Sequence, residues 1–217
     1  MLVEDEGLKP PVPLSADERR VLGVLIEKSL TTPDAYPMTR AGLTAGCSQK
    51  SNRSPVAAYS EERVDATIDA LREKSLVNEV HTAGGRTEKF RQVARVAFGW
   101  NEVQLAAMGE LLLRGRQSIG DLRSRANRMR PIDSLDVLRE ALSELKEAGY
   151  VRASGPLTQR GVQVDHALYE GDSPELEAVA AEPASRPAAK PDEVAELRAE
   201  VAALRQEVAE LRSALGD

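Results

Sequence analysis

A run of arginines in the middle of the chain is the strongest candidate for chemistry in this sequence. The run consists of Arg114, Arg116, Arg123, Arg125, Arg128 and Arg130, and the only acidic residue between its ends is Asp121. Guanidinium groups bind phosphate oxygens, and such contacts position a protein on nucleic acid without reading its sequence. The run therefore favours contact with a nucleic-acid backbone. The alternative is that these arginines pair with acidic residues of neighbouring helices.

Two further basic clusters lie in the first half of the chain. They comprise Lys50, Asn52 and Arg53 in a long polar turn, and Arg86, Lys89 and Arg91 in a predicted β-hairpin. A basic hairpin can contact phosphates or the minor groove. For the turn, the alternative is that Asn52 holds a long loop in place by side-chain hydrogen bonds. The predicted nucleic-acid contacts are these two clusters together with Arg116, Arg123, Arg125, Arg128 and Arg130.

Residues that could support catalysis are few. The chain has two histidines, His81 and His166, on different predicted strands, and one cysteine, Cys47. The sequence contains no glycine-rich phosphate loop, nucleophile elbow or Cys/His metal-ligand spacing. We therefore expect a protein that is not an enzyme and holds no metal or cofactor, in which Cys47 is a buried, small apolar side chain.

An amphipathic helix followed by a two-stranded hairpin occurs twice, over residues 60–93 and 134–169. Each copy contains a related segment, LREKSLV at residues 71–77 and LKEAGYV at residues 145–151. In the first copy, a glycine-containing turn at residues 83–86 separates the two strands. A helix followed directly by a two-stranded wing is the core of a winged helix-turn-helix domain. The pattern therefore predicts two domains of this fold.

The remaining elements complete a tandem winged-helix architecture that is mainly α with small β wings. Capping-box patterns begin the first helix of each copy at Ser15 and Asn101. Short second helices are predicted over residues 39–47 and 119–126. The predicted boundaries are an N-terminal arm at 1–13, winged helices at 14–97 and 98–170, an Ala/Pro/Glu-rich linker at 171–191 and a coiled-coil helix at 192–217.

Two motifs resemble those of the YceH-like family of bacterial proteins. The first is VLGVLIEKSLTTPDAYP at residues 21–37, followed by QKSNRSPV at residues 49–56, and the second is LLLRGRQSIGDLRSRANRM at residues 111–129. The resemblance covers roughly residues 14–170 and implies a tandem winged-helix fold, in a family whose biochemical function is unassigned. The chain departs from the family's pattern at Arg116, where proline is expected, and at Ser48, where asparagine is usual.

A heptad pattern runs through residues 192–217. The residues at its a and d positions are Val194, Leu197, Val201, Leu204, Val208, Leu211 and Leu215. β-Branched residues at a and leucine at d favour two parallel strands, and glutamate at g would face arginine at e of the partner. We predict a homodimer through this helix. The alternative is a lone amphipathic helix that folds back on the rest of the chain.

The charge distribution leaves two classes of partner open. The formal net charge is −6, and residues 171–217, with five basic and 11 acidic residues, account for all of it. The predicted third helices, which enter the major groove in helix-turn-helix proteins, carry acidic rows: Glu62, Asp69 and Glu73 in the first, and Asp136, Glu140, Glu144 and Glu147 in the second. Carboxylates that face phosphates weaken binding. The sequence predicts a DNA-binding protein associated with transcription or the chromosome, or alternatively a protein-interaction scaffold.

No feature of the sequence indicates secretion or a membrane span. The first residues lack the basic start and apolar core of a signal peptide, and no apolar run approaches the roughly 20 residues that a transmembrane helix needs. A single cysteine fits a reducing compartment. We expect a cytoplasmic protein.

Overall fold

The computed structural model describes residues 8–81, 87–171 and 173–176, which are mostly helical with two small antiparallel sheets. The described residues belong to one unit within Met1–Val179. Three predicted features lie outside them: the turn at residues 83–86, most of the linker at 171–191, and the coiled coil at 192–217.

The first repeat begins with a long helix, continues with two shorter ones and ends in a hairpin. Its elements are α1 (Ala16–Thr31), a 3-10 turn (Pro33–Ala35), β1 (Met38–Thr39), α2 (Arg40–Cys47), α3 (Glu61–Glu73), β2 (Val77–Val80), β3 (Lys89–Gln92) and α4 (Ala94–Phe98). The predicted capping box is present, because the Ser15 hydroxyl accepts from the Glu18 amide and the Glu18 carboxylate accepts from the Ser15 amide. The sheet has the order β1–β3–β2.

The second repeat follows the same order of helices and strands. Its elements are α5 (Glu102–Arg114), β4 (Gln117–Ser118), α6 (Ile119–Ala126), α7 (Leu135–Glu147), β5 (Val151–Ala153) and β6 (Gln163–His166). Its sheet has the matching order β4–β6–β5. The capping box at Asn101 and Gln104 is confirmed. The two-residue strands β1 and β4 and the short helix α4 were not predicted, since such short elements show no periodicity.

The two repeats share one hydrophobic core, in which α1 packs against α5. Glycines allow this close approach. A Cβ atom on Gly23 would lie 2.9 Å from Leu113 Cγ, and one on Gly109 would lie 2.6 Å from Ile26 Cγ2. Both distances are too short for real carbon atoms, so a side chain at either position would force the helices apart.

The start of the first repeat is also joined to the end of the second by backbone hydrogen bonds. The Leu14 amide donates to the Leu168 carbonyl at 3.0 Å, and the Glu170 amide donates to the Leu14 carbonyl at 3.2 Å. Upstream of this bridge, the Tyr150 hydroxyl donates to the Lys9 carbonyl. These bonds add a second connection between the repeats, separate from the contact of α1 with α5.

Candidate functional site

Arg53, which was expected to contact nucleic acid from an exposed turn, lies in the interior. Its side chain is 0% exposed, and its Nη2 donates to Glu27 Oε2 on α1 at 2.6 Å. Its Nε donates to the Gly46 carbonyl at 3.0 Å. This placement corrects the expectation for Arg53, because a buried and neutralised guanidinium does not reach a phosphate at the surface.

Further charged groups extend this pair across the contact between the repeats. Arg128 Nη2 lies 2.6 Å from Glu27 Oε1 and 3.3 Å from Glu110 Oε2. Arg114 Nε lies 2.8 Å from Glu110 Oε1, close enough for an ion pair but not aligned as a hydrogen bond. Asn52 accepts from Arg114 Nη2 at 2.5 Å. We call the following residues the buried charge network: Glu27, Arg53, Glu110, Arg114 and Arg128.

The two acids of the buried charge network differ in their electrostatics. Burial acts to raise the pKa of Glu27, but the hydrogen bonds and charges of Arg53 and Arg128 outweigh it, so that the pKa is lowered overall. Burial raises the pKa of Glu110, and Arg114 and Arg128 offset only part of this effect. The difference follows from the geometry, because the arginine contacts of Glu110 are longer or less well aligned. Glu27 is therefore the principal anion of the network.

Three further arginines of the run, Arg123, Arg125 and Arg130, also have partners within the protein. Arg123 donates to two backbone carbonyls in the turn after α6. Arg125 Nη1 donates to Gln117 Oε1 at 2.8 Å, and Arg130 Nη1 lies 2.9 Å from Glu102 Oε2. Each guanidinium in the run therefore has at least one hydrogen-bond or ion-pair partner within the protein. A nucleic-acid role for these residues stays a prediction.

Four of the predicted contacts remain accessible on the surface. Lys50, Lys89 and Arg91 make no side-chain hydrogen bond or ion pair with any residue that the structure describes. Arg116 is exposed and makes one hydrogen bond, to a backbone carbonyl of the segment after β6 at 3.3 Å. Arg86 lies outside the described residues.

The third helix of the second repeat presents acidic and apolar groups to solvent. Leu135 and Val137 are 37% and 39% exposed, respectively. We call the following exposed residues, which share one side of the helix, the α7 acidic face: Asp136, Val137, Glu140, Glu144 and Glu147. Asp136 also pairs with Arg139, and Glu144 accepts from Gln104. The third helix of the first repeat is similar in charge, since Glu62, Asp69 and Glu73 are exposed on α3. Both acidic rows therefore lie on the surface, as the sequence predicts.

Comparison with known proteins shows the family. Residues 14–159 match the family described as "Protein of unknown function, DUF480". The chain belongs to this family. It is 44% identical over 166 residues to UPF0502 protein RB6530 of Rhodopirellula baltica, with 76% of this chain and 69% of the relative covered. It is 38% identical over 192 residues to a UPF0502 protein of Solibacter usitatus, with coverages of 85% and 93%. UPF0502 protein azo0627 of Azoarcus sp. is 40% identical over 197 residues, with coverages of 86% and 87%.

In this member of the DUF480 family, burial makes Cys47 and His166 poorly suited to act as nucleophile or base. Cys47 is free and buried, as predicted, and burial raises the pKa of its thiol to about 12. Burial lowers the pKa of His166 to about 3, so its imidazole is neutral at physiological pH. Among the residues described, no group of three or more His, Cys, Asp and Glu side chains is arranged to hold a metal. The expectation that the chain is not an enzyme stays a prediction.

None of the helices in the described part of the chain combines the length and the apolar character that crossing a membrane requires.

Proposed function

We propose that the chain is a non-enzymatic tandem winged-helix protein, as its resemblance to YceH-like proteins implies, and that it binds a basic protein segment. The α7 acidic face is the proposed contact surface. In winged helices the third helix is the element that enters the major groove of DNA. Here this helix exposes carboxylates together with the apolar Val137 on the same side, and this observation carries the proposal.

Charge and apolar exposure both favour a protein partner for α7. Carboxylates at this position would face DNA phosphates, and the repulsion would weaken binding. A basic protein segment would instead be attracted by these carboxylates, which speeds association and favours one orientation. Val137 would then be buried within the contact, where protein interfaces are most apolar.

Dimerisation through residues 192–217 is part of the same proposal. A parallel coiled coil would place two copies of the α7 acidic face on one assembly. Two linked binding sites raise the overall affinity for a partner that presents two basic segments, because the second binding event becomes intramolecular.

Charge reversal on the α7 acidic face tests the proposal. The probe is a synthetic amphipathic peptide with lysines on one helical face and leucines on the other, titrated into the full chain. We expect binding that Glu140→Lys weakens by about fivefold or more, through lost attraction and new repulsion. The matched control is Asp34→Lys, an equal charge change at an exposed acid outside α7. Equal binding by the wild type and Glu140→Lys would contradict the proposal, as would equal binding of a scrambled peptide.

DNA binding through the first hairpin is the second candidate. Lys89 and Arg91 alternate along β3 and so share one face of the strand, and neither has an ion-pair partner among the described residues. A fluorescence anisotropy titration of random duplex DNA at two salt concentrations tests this candidate. If Arg91 contacts a phosphate, Arg91→Gln lowers the slope of log affinity against log salt by about 0.9. The exposed Arg160 provides the control variant, Arg160→Gln, which leaves the slope unchanged.

A further inference from the structure

A cavity of about 470 Å³ lies between the two repeats, away from the α7 acidic face. The first turns of α1 and the long turn before α3 form one side. The end of α5, strand β6 and the segment after β6 form the other side. The cavity is large enough for a small metabolite and draws its walls from both repeats.

Asp165 lines this cavity with an unpaired acceptor. Its side chain is 1% exposed, and its Oδ2 accepts from the Tyr169 hydroxyl at 2.9 Å and from Arg152 Nη2 at 3.4 Å. Its Oδ1 is buried and has no hydrogen-bond partner among the residues described. Buried acceptors are almost always paired in native proteins, so this oxygen indicates a donor that a ligand would supply.

His166 lines the cavity next to this carboxylate. Its Nδ1 accepts from the Leu168 amide at 3.3 Å, which assigns the proton of the neutral ring to Nε2. Nε2 lies 4.0 Å from Asp165 Oδ1, too far for a hydrogen bond. The wall therefore combines an unpaired acceptor with a neutral donor group, and this pairing suits a hydroxyl, which can both donate and accept.

Three arginines of the cavity wall make no ion pair with a described carboxylate: Arg19, Arg20 and Arg116. Arg20 is buried and donates to the Cys47 and Pro55 carbonyls, which leaves Arg19 and Arg116 to supply positive charge to a ligand. Arg19 Nη1 donates to the Leu14 carbonyl at 2.6 Å, and its guanidinium lies over the Tyr169 ring, 4.5 Å from the centroid. Arg116 makes only its single bond to a backbone carbonyl. Neither guanidinium forms an ion pair with any described carboxylate. In contrast, Arg63 and Arg114, which also line the cavity, are neutralised by acids.

We propose that this cavity binds a phosphate monoester of a polyhydroxylated sugar, with the phosphate on Arg19 and Arg116 and a sugar hydroxyl donating to Asp165 Oδ1. Two unneutralised guanidinium groups suit a phosphate monoester, which carries a charge of about −1.5 to −2 at pH 7, better than a singly charged carboxylate. Guanidinium also matches phosphate geometry by donating two parallel hydrogen bonds. A hydroxyl can donate to Asp165 and is neutral, whereas an ammonium donor would bring a positive charge close to Arg19 and Arg116.

Calorimetric titration of the full chain with inorganic phosphate, ribose, ribose 5-phosphate and adenosine 5′-monophosphate tests the proposal. We expect ribose 5-phosphate to bind more tightly than inorganic phosphate, because only the ester supplies the hydroxyl for Asp165, and we expect ribose to show no binding. Adenosine 5′-monophosphate carries the same ribose phosphate on a nucleotide, so comparing its affinity with that of ribose 5-phosphate shows which of the two the cavity prefers. Binding of neither phosphate ester, or equal affinity for inorganic phosphate and both esters, would overturn the assignment.

Two arginine variants separate this site from general charge attraction. Arg116→Gln, at an exposed side chain, is expected to weaken ribose 5-phosphate binding by about tenfold or more, since a charge-assisted hydrogen bond is lost. Arg19→Gln is expected to act in the same direction. Arg160→Gln removes the same charge outside the cavity and is expected to leave the affinity unchanged. If Arg116→Gln and Arg160→Gln, both folded by circular dichroism, bind as the wild type does, the cavity is not the binding site.

Discussion

Replacing Glu27 by glutamine tests how much the buried charge network contributes to stability. The change keeps the shape of the side chain but removes the charge that neutralises Arg53 and Arg128, each of which has a nitrogen 2.6 Å from a Glu27 oxygen. Removing one partner of a buried ion pair costs about 3–5 kcal/mol, because the other charge stays buried without compensation. Since domains are stable by about 5–15 kcal/mol in total, we expect Glu27→Gln to lose a large fraction of the free energy of unfolding.

Urea denaturation of the wild type and Glu27→Gln at pH 7 measures this loss. The control is Glu140→Gln, at an exposed acid with no ion pair among the described residues, and it is expected to change stability by less than about 0.5 kcal/mol. A loss below about 1 kcal/mol in Glu27→Gln, with an unchanged dependence on urea, would refute the reasoning. It would show that the two arginines find water or other partners when Glu27 is neutral.

The pH dependence of the same pair gives an independent check. The folded-state pKa of Glu27 lies below its usual range. The stabilisation that this carboxylate provides is therefore fully present above its unfolded-state pKa of about 4.3 and is lost as the pH falls through the folded-state value. We expect the difference in stability between the wild type and Glu27→Gln to be constant from pH 7 to about pH 5 and to shrink at lower pH. A difference that grows on acidification would contradict this sign.

Three further predictions concern packing, capping and assembly. Gly109→Ala should destabilise the protein by about 1–3 kcal/mol in urea denaturation, because the new methyl group would overlap Ile26 on α1. The control is Gly120→Ala, where the added carbon approaches only the Ser118 hydroxyl at 3.9 Å, and it should be neutral or stabilising. Ser134→Ala removes the N-cap of α7 and should cost about 1 kcal/mol in the same measurement. Leu204→Lys places a charge in the predicted coiled-coil seam and should yield a monomer in sedimentation velocity; an unchanged dimer would show that other residues hold the pair together.

The sequence predicted best those elements of the fold that are determined by residues close together in the chain. The capping boxes at Ser15 and Asn101 act within three residues of the helix start, so their signal is complete in a short window. The helix α6 was predicted with its observed bounds for the same reason. The third strand of each sheet could not be predicted, because β1 and β4 consist of two residues each and exist only through pairing with β3 and β6.

The candidate site was harder to predict because its partners are distant in sequence. Arg53 pairs with a residue 26 positions earlier in the chain, and Arg128 bridges acids from both repeats. One signal was available: Glu27 directly follows a run of apolar residues in α1, and Glu110 lies within such a run in α5. An acid on a buried helix face requires a cationic partner, but the sequence does not show which arginine supplies it.

Because of the buried charge network, the number of arginines in this chain overstates the number that can contact a phosphate. Nucleic-acid affinity depends on the cations that can reach phosphates, and not on the number of arginines in a segment. Arg53 is buried, while Arg128 and Arg130 are paired with acids. The surface that remains is divided: exposed carboxylates occupy both third helices, Lys50, Lys89 and Arg91 make no ion pair with any described residue, and the unneutralised arginines Arg19 and Arg116 lie at the cavity between the repeats. The proposal is therefore separate contacts with a basic protein segment and a small anion, with DNA contact through the first hairpin as the second candidate.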